Sequence, residues 1–240
     1  MTTPVHLYDD EGAGPFVTGC FERRLIERGH DVRRIKAADV LAGVLDDAEV
    51  MVLPGGADRP YIRKLGDDGA ARIRDFVHGG GRFFGSCAGG YYAARRITFN
   101  APGFDVDEPR PLGFYPGTAH GPVPGIAPPF RDHPESAAVV RLEAGSEPGA
   151  ALFWGGFSLQ PDADATATPI GHYAANGLVA AASCIVGTGH VFVSGVHPEV
   201  TADDFASLED APATTVDLLR EHEVQRAVVF NVFWDRLIDA

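Results

Sequence analysis

The first half of the chain predicts an α/β fold with a mostly parallel central sheet and helices on both of its faces. Short apolar segments, each about one strand long, alternate there with stretches in which apolar residues recur at helical spacing. This alternation is typical of β-α-β units, in which consecutive strands pair in parallel. The 240 residues show no internal repeat and no linker, so we predict one domain spanning residues 1–240.

Four strands and two helices are predicted in this first half. The helix after the first strand carries an apolar stripe that includes Val17, Phe21 and Leu25, and it ends at Gly29. A second helix, over residues 67–78, ends at a run of three glycines. Ligands of parallel sheets bind at the carboxyl ends of the strands, so the loops after these strands are expected to border one crevice. The predicted strands are residues 5–8, 32–35, 50–53 and 82–84.

The second half of the chain is less regular. Residues 100–134 are rich in proline and glycine and show little periodicity, which is typical either of a lid over the crevice or of a surface excursion. A helix is predicted at residues 214–238. Residues 227–234 within it are apolar on nearly every side, which predicts either deep packing or contact with the second subunit of a homodimer. Shorter strands, with antiparallel pairs among them, are predicted at residues 137–142, 150–154 and 178–186.

Composition narrows the classes of partner. A net charge of −13 at pH 7 disfavours nucleic acid and membranes, because both repel an acidic surface. The N-terminus does not resemble a signal peptide and no apolar run is long enough to span a bilayer, so a cytoplasmic protein is predicted. Three widely spaced cysteines do not suggest a disulfide framework, and the nine histidines do not cluster at metal-ligand spacing. We therefore predict no metal and no cofactor, and a small molecule as substrate or ligand.

The run Gly-Ser-Cys-Ala-Gly, from Gly85 to Gly89, follows an apolar strand and precedes small and aromatic residues. Glycines on both sides allow a sharp turn. Such a strand-turn-helix element, a nucleophile elbow, lifts one side chain into open space. Here that side chain is the thiol of Cys87. Alone, the pattern also fits an ordinary turn in a chain that contains 29 glycines.

A second strand, residues 191–195, leads into His197, Pro198 and Glu199. Histidine can move a proton to and from a thiol, and a carboxylate beside it fixes the tautomer of the imidazole. Cys87, His197 and Glu199 are therefore predicted as a catalytic triad for acyl transfer. In α/β-hydrolases the acid precedes the histidine, so the order found here disfavours an ordinary esterase or lipase.

These residues, with longer runs around them, resemble class I glutamine amidotransferase-like proteins. The resemblance is closer still to the domain at the N-terminus of fungal biotin-protein ligases. It implies a flavodoxin-like three-layer sandwich and a stand-alone relative of that N-terminal domain. Biotin ligase activity is not expected, because the sequence contains no Gly/Arg-rich biotinyl-adenylate loop. The matching runs are residues 8–12, 54–61, 85–92 and 114–119.

The resemblance and the positions of the loops also assign supporting residues. The backbone N–H groups of Gly56 and Ala88 are expected to form an oxyanion hole. Glutamine-hydrolysing relatives carry a glutamine four residues after the nucleophile, where this chain has Tyr91. Efficient hydrolysis of free glutamine is therefore not expected. The residues expected to contact the substrate are Gly55, Asp58, Tyr61 and Tyr91.

Two functions stay open on the sequence alone. One is a thiol hydrolase or amidotransferase-like enzyme that acts on a small amide or ester. The other is a ligand-binding or regulatory module that retains the triad without turnover. Turnover that is lost in Cys87→Ala would favour the enzyme, whereas binding without turnover, unchanged by that substitution, would favour the module.

Overall fold

The computed structural model describes residues 4–145 and 147–239. Strands and helices alternate in the first part of the chain, and the four strands predicted there end within one or two residues of their expected positions. The helices are α1 (Pro15–Glu27), α2 (Ala37–Leu41), α3 (Asp58–His78), α4 (Ala88–Ala93), α5 (Ala202–Ala206), α6 (Ala213–Glu221) and α7 (Glu223–Ile238). The strands are β1 (Pro4–Tyr8), β2 (Asp31–Ile35), β3 (Val50–Leu53), β4 (Arg82–Ser86), β5 (Ala94–Ala101), β6 (Phe104–Pro109), β7 (Tyr115–Gly121), β8 (Ala138–Ala144), β9 (Glu147–Phe153), β10 (Ser158–Pro161), β11 (Thr168–Tyr173), β12 (Val179–Val186) and β13 (Gly189–Ser194).

Five parallel strands form the central part of the sheet, in the order β2-β1-β3-β4-β13. Helices α1 and α7 cover one face, where the rings of Phe84 and Phe192 stack with centroids 5.2 Å apart. Helix α3 covers the other face, against Phe83 and Val191. The predicted α/β class is therefore confirmed, with the layers of a flavodoxin-like three-layer sandwich.

The carboxyl ends of the parallel strands lie along one edge of the sheet, and the loops that follow them meet there. The loop after β1 reaches the loop after β3 through a backbone bridge between Ala13 and Gly56. The start of the turn after β4 is joined to the end of β13, because the N–H of Cys87 donates to the carbonyl of Ser194 at 2.8 Å. This edge is where ligands of such sheets bind.

Beyond β13 the sheet becomes mainly antiparallel. It continues in the order β12-β10-β7-β5-β6, in which only β5 and β7 pair in parallel. Strands β11, β8 and β9 branch from β12. The strands predicted at residues 137–142, 150–154 and 178–186 correspond to β8, β9 and β12, and antiparallel pairs occur among them as expected.

The irregular excursion expected over residues 100–134 contains strands over part of its length. Strands β5, β6 and β7 include residues 100–101, 104–109 and 115–121, whereas residues 102–103, 110–114 and 122–133 lack a helix or strand. The physical reason is a two-residue alternation that the prolines and glycines obscure. Ile97 and Phe99 alternate with polar residues, and Phe99 pairs with Val106 across the β5–β6 hairpin.

The helices also differ from expectation in their ends. Helix α3 begins at Asp58, and Gly66, with φ 61°, breaks it into two segments, of which the second is the helix predicted over residues 67–78. The helix predicted over residues 214–238 is two helices, α6 and α7.

Among the described residues, no helix has the length and apolar character that crossing a membrane requires. Deep packing accounts for the apolar part of α7, because its buried side chains include Val229, Phe230, Phe233 and Trp234.

Candidate active site

The turn between β4 and α4 holds Cys87 in a strained conformation, with φ 47° and ψ −108°. A positive φ is rare for residues other than glycine, and here it turns the side chain away from the strand. Gly89 has to be small, since a Cβ atom there would lie 1.9 Å from the carbonyl oxygen of Leu53. The local sequence therefore folds into the sharp strand-turn-helix element that its glycines predict.

His197 and Glu199 follow β13, and only 3% and 0% of their surface is exposed. The N–H of His197 donates to the carbonyl of Leu152 on β9 at 2.8 Å, which anchors the segment. Nδ1 of the imidazole lies 2.8 Å from Oε1 of Glu199. Because Nδ1 is engaged, Nε2 is the nitrogen left for the thiol. Gly55 packs against both side chains, since a Cβ atom there would lie 2.6 Å from Cε1 of His197 and 3.4 Å from Cβ of Cys87. The structure thus brings Cys87, His197 and Glu199 together.

The charge of Glu199 decides the protonation of the imidazole. Burial lowers the pKa of His197, but the negative charge of Glu199, its hydrogen bond to the imidazole and the nearby Cys87 outweigh burial and raise the pKa to about 10. The imidazole is therefore protonated at neutral pH and can donate a proton in a reaction at Cys87. Sγ of Cys87 donates to the carbonyl oxygen of Trp154, at 3.7 Å.

Two backbone N–H groups border the cavity beside Cys87. Ala88 is the first residue of α4, and Gly56 lies in the loop after β3 with φ 142°. Among the described residues, neither N–H has a hydrogen-bond acceptor from the chain. Both groups predicted for an oxyanion hole are therefore available to a substrate oxygen.

Helix α7 supports the segment that carries His197 and Glu199. Arg226 is 5% exposed, its Nη1 donates to the carbonyl oxygen of Pro198, and its Nε donates to the carboxylate of Glu223 at 3.0 Å. Oε2 of Glu199 is buried without a hydrogen-bond partner among the described residues. A buried carboxylate is costly unless a positive charge compensates it, which the imidazolium does here. Arg226 was not predicted from the sequence, where its one signal is a lone arginine at the start of an apolar helical run.

A cavity of about 570 Å³ opens onto Cys87. Its polar residues include Asp58, Arg59 and Asp132, of which the last two are exposed. The β5–β6 hairpin supplies most of its apolar side, and Phe130 and Asp132 of the loop over residues 122–133 also line it. Tyr91 was expected here from the sequence, but the hairpin residues were not, although the two-residue alternation in β5 and β6 is a signal for them. The apolar wall consists of Tyr91, Ile97, Phe99, Phe104, Val106 and Phe130.

Two of the residues expected to contact substrate line this cavity. Asp58 accepts a hydrogen bond of 2.6 Å from Nε of Arg110, a nearly fully buried arginine, and so enters the cavity as half of an ion pair. The hydroxyl of Tyr91 donates to the carbonyls of Gly155 and Gly156, at 3.2 and 3.0 Å. The phenol ring of Tyr91 therefore faces the cavity, while its hydroxyl is already bound.

The other two lie outside the cavity. Gly55 packs against the imidazole of His197 and gives it room. The expectation for Tyr61 needs correction, because this side chain is fully buried beneath the loops. Its hydroxyl donates to the carbonyl of Pro54 at 2.9 Å, and its ring packs edge-on against Tyr8 with centroids 5.4 Å apart. Tyr61 is a residue of the core.

The remaining cysteines are unpaired and buried away from the cavity. Burial raises the pKa of Cys184 to about 12. Burial also raises the pKa of Cys20, and the charges of Asp204 and Glu199 add to this effect. In the part of the chain that the structure describes, no group of three or more histidine, cysteine, aspartate or glutamate residues is placed to hold a metal ion.

A parallel sheet that carries a strained cysteine turn at its carboxyl edge defines the class: this is a class I glutamine amidotransferase-like fold. A glutamine amidotransferase from Thermotoga maritima aligns over the full length of both chains, with a TM-score of 0.63 and 12% identity. At that identity the similarity shows the fold alone. The chain belongs to the family described as "Biotin-protein ligase, N terminal", which matches residues 5–237.

Two curated relatives agree with this assignment. A biotin–protein ligase from Schizosaccharomyces pombe is 31% identical over 163 residues, which cover 64% of this chain and 26% of that protein. An uncharacterized protein from Chlamydia muridarum is 34% identical over 123 residues, which cover 48% of each. The matches thus span about a quarter and about half of the length of these two relatives.

Proposed function

We propose that this protein is a cysteine-dependent hydrolase or amidotransferase-like enzyme that acts on a small amide or ester. The observation that carries the proposal is the position of Cys87: a strained residue that opens onto a cavity and packs, with a protonated, carboxylate-bound imidazole, against Gly55. Such an arrangement is costly to maintain and is typical of nucleophiles.

In the proposed reaction, the thiolate of Cys87 attacks the carbonyl carbon of the substrate and a C–S bond forms. The electron pair moves to the carbonyl oxygen, which the N–H groups of Gly56 and Ala88 bind. The His197 imidazolium then gives its Nε2 proton to the leaving amine or alcohol, whose bond to carbon breaks, and a thioester remains. Neutral imidazole next takes a proton from water, the resulting hydroxide attacks the thioester, and the thiolate leaves. Glu199 keeps Nδ1 protonated throughout.

Acylation of Cys87 by 4-nitrophenyl acetate tests this proposal. We expect release of 4-nitrophenol together with an acetyl adduct that peptide mass spectrometry maps to Cys87. Cys87→Ala should lower the release to the uncatalysed rate. Cys184→Ala is the matched control, because it removes a buried thiol that lies outside the site, and it should leave the rate unchanged.

Two outcomes would count against the enzyme. Equal acetylation of Cys87 and Cys184 would mean that Cys87 is not activated. Binding of a metabolite that persists in Cys87→Ala, without acylation or turnover in the unmodified protein, would favour the ligand-binding or regulatory module. The fold would then retain Cys87, His197 and Glu199 without catalysing a reaction.

A further inference from the structure

We infer that the substrate of this site carries an uncharged aromatic acyl group, which binds in the apolar wall of the cavity while its amide or ester carbonyl lies at Cys87. This inference rests on the proposed function, because it names the class of substrate on which that chemistry acts. It concerns the side of the cavity formed by Tyr91, Ile97, Phe99, Phe104, Val106 and Phe130.

The aromatic side chains of this wall contact one another edge to face. Phe99 lies 5.8 Å from Phe104 and 5.2 Å from Phe130, measured between ring centroids, with interplanar angles of 82° and 89°. Tyr91 contacts Phe99 in the same way at 5.8 Å. Rings prefer edge-to-face or offset contacts, so this cluster offers ring faces and edges to one further aromatic group.

The aromatic side chains of the wall are only partly buried by the protein itself. Phe104 is 49% exposed, and Phe99 and Phe130 are half-buried, although all three lie on ordered strands or against them. Phe130 is held by contact with the backbone at Gly155, where a Cβ atom would lie 2.4 Å from its ring. Apolar side chains that converge beside a nucleophile are typical of pockets that bind an apolar ligand group.

The polar groups near the wall argue against an anionic acyl group. The Tyr91 hydroxyl donates to the carbonyls of Gly155 and Gly156, so it cannot replace a pocket glutamine as a substrate contact. Arg110 is paired with Asp58 and Arg59 with Glu108, and Asp132, which also lines the cavity, is itself acidic. An anionic acyl group would have to enter the wall without a positively charged partner, which is unfavourable in an apolar site.

Binding to Cys87→Ala tests the inference without requiring turnover. Isothermal titration calorimetry with phenylacetamide, acetamide, succinamic acid and L-glutamine compares an aromatic group with a small, an anionic and a zwitterionic one. We expect phenylacetamide to bind at least about tenfold more tightly than acetamide, since apolar groups in such pockets discriminate by about this factor or more. Succinamic acid and glutamine should bind no better than acetamide.

Phe99→Ala and Phe130→Ala, each combined with Cys87→Ala, should remove most of the preference for phenylacetamide. Phe76→Ala is the matched control, because Phe76 is a half-buried phenylalanine of α3 that lies outside the cavity. Circular dichroism establishes that each variant folds. If both wall variants fail to fold, the ligand comparison on Cys87→Ala alone decides the inference.

In the unmodified protein, hydrolysis of methyl phenylacetate, methyl acetate and monomethyl succinate gives the matching kinetic comparison, because all three release methanol. A higher kcat/KM for methyl phenylacetate supports the inference. Equal binding of phenylacetamide and acetamide, or no binding of phenylacetamide at millimolar concentration, overturns it even if 4-nitrophenyl acetate acylates Cys87. Conversely, preferential binding of phenylacetamide without acylation of Cys87 would refute the proposed chemistry and retain an aromatic-ligand site.

Discussion

Gly55 lies so close to the imidazole of His197 that a methyl group on its α-carbon would stand 2.6 Å from Cε1. The same methyl group would lie 3.4 Å from Cβ of Cys87. Non-bonded carbon atoms at optimal separation are about 3.5–4.0 Å apart. The missing side chain at Gly55 therefore allows the imidazole and the thiol to pack together.

Gly55→Ala should displace the imidazole and slow reactions at Cys87. A displacement of about 1 Å can cost about a hundredfold in turnover, and we expect a loss of that order in 4-nitrophenyl acetate hydrolysis. Gly19→Ala is the control, because a methyl group at this helical position in α1 meets only the end of the Arg23 side chain, at 3.4 Å. It should leave the rate unchanged. Equal rates for both variants would show that the imidazole does not need its present position.

Cys87 should react with iodoacetamide at neutral pH well before Cys20 and Cys184. All three thiols are largely buried, but Cys87 opens onto the cavity near the His197 imidazolium, whereas burial raises the pKa values of Cys20 and Cys184. Thiolate is the reactive form, so a raised pKa suppresses alkylation. Peptide mass spectrometry after short exposures measures the order of labelling. The unfolded protein is the control, and there all three should react at similar rates.

How far the sequence predicts this site depends on the kind of signal that each residue gives. The turn at Cys87 was predictable because both flanking glycines are required: a Cβ atom at Gly89 would lie 1.9 Å from the carbonyl oxygen of Leu53, and one at Gly85 would lie 2.7 Å from that of Gly89. His197 and Glu199 were predictable because both follow an apolar strand directly. Their roles in catalysis stay a prediction. These signals lie within a few residues of the side chains that they predict, so the sequence alone is enough to recognise them.

The cavity could not be predicted in the same way, because its wall depends on long-range pairing. Phe99 and Phe130 are 31 positions apart, and only the fold of the β5–β6 hairpin and the loop over residues 122–133 brings their rings within 5.2 Å. For Tyr61 the error is the opposite one, because a substrate contact was predicted where the side chain lies in the core. It lies in a run that resembles the family, yet its side chain turns into the core toward Tyr8, which a motif does not reveal.

The free energy of unfolding should depend on pH through His197. Its pKa is about 10 in the folded protein and 6.5 for the unperturbed side chain, so the folded state binds more protons between these values. The stabilisation is fully present below about pH 6.5 and is lost as pH rises through about 10. Glu199→Gln removes a main cause of the raised pKa, and should therefore flatten this part of the profile.

Urea unfolding between about pH 6 and 10 measures this effect as the difference between the unmodified protein and Glu199→Gln. Other groups titrate in the same range, so the difference is more informative than either curve. Glu209→Gln, which changes an exposed glutamate of the loop after α5, is the control and should leave the profile unchanged. Parallel profiles for all three proteins would contradict a His197 pKa that Glu199 raises.

Arg226→Met should weaken both the fold and the site. The substitution keeps an unbranched side chain but removes the donor to the carbonyl of Pro198, between His197 and Glu199. Loss of a charged hydrogen bond in a buried position costs about 1–3 kcal/mol in the free energy of unfolding, which urea denaturation measures. Because the bond holds the segment that carries the imidazole, we also expect slower alkylation of Cys87 by iodoacetamide.

Glu223→Gln separates this positioning role from the ion pair. Arg226 donates to Glu223 from Nε and Nη2, at 3.0 and 2.7 Å, but it contacts Pro198 through Nη1, which this variant keeps. The Glu223 side chain is 42% exposed, and glutamine keeps one acceptor oxygen for the buried guanidinium. Glu223→Gln should therefore lose less stability than Arg226→Met and keep the full alkylation rate. If Arg226→Met loses stability and still alkylates Cys87 at the original rate, then Arg226 supports the fold alone, and the segment bearing His197 and Glu199 holds its position without it.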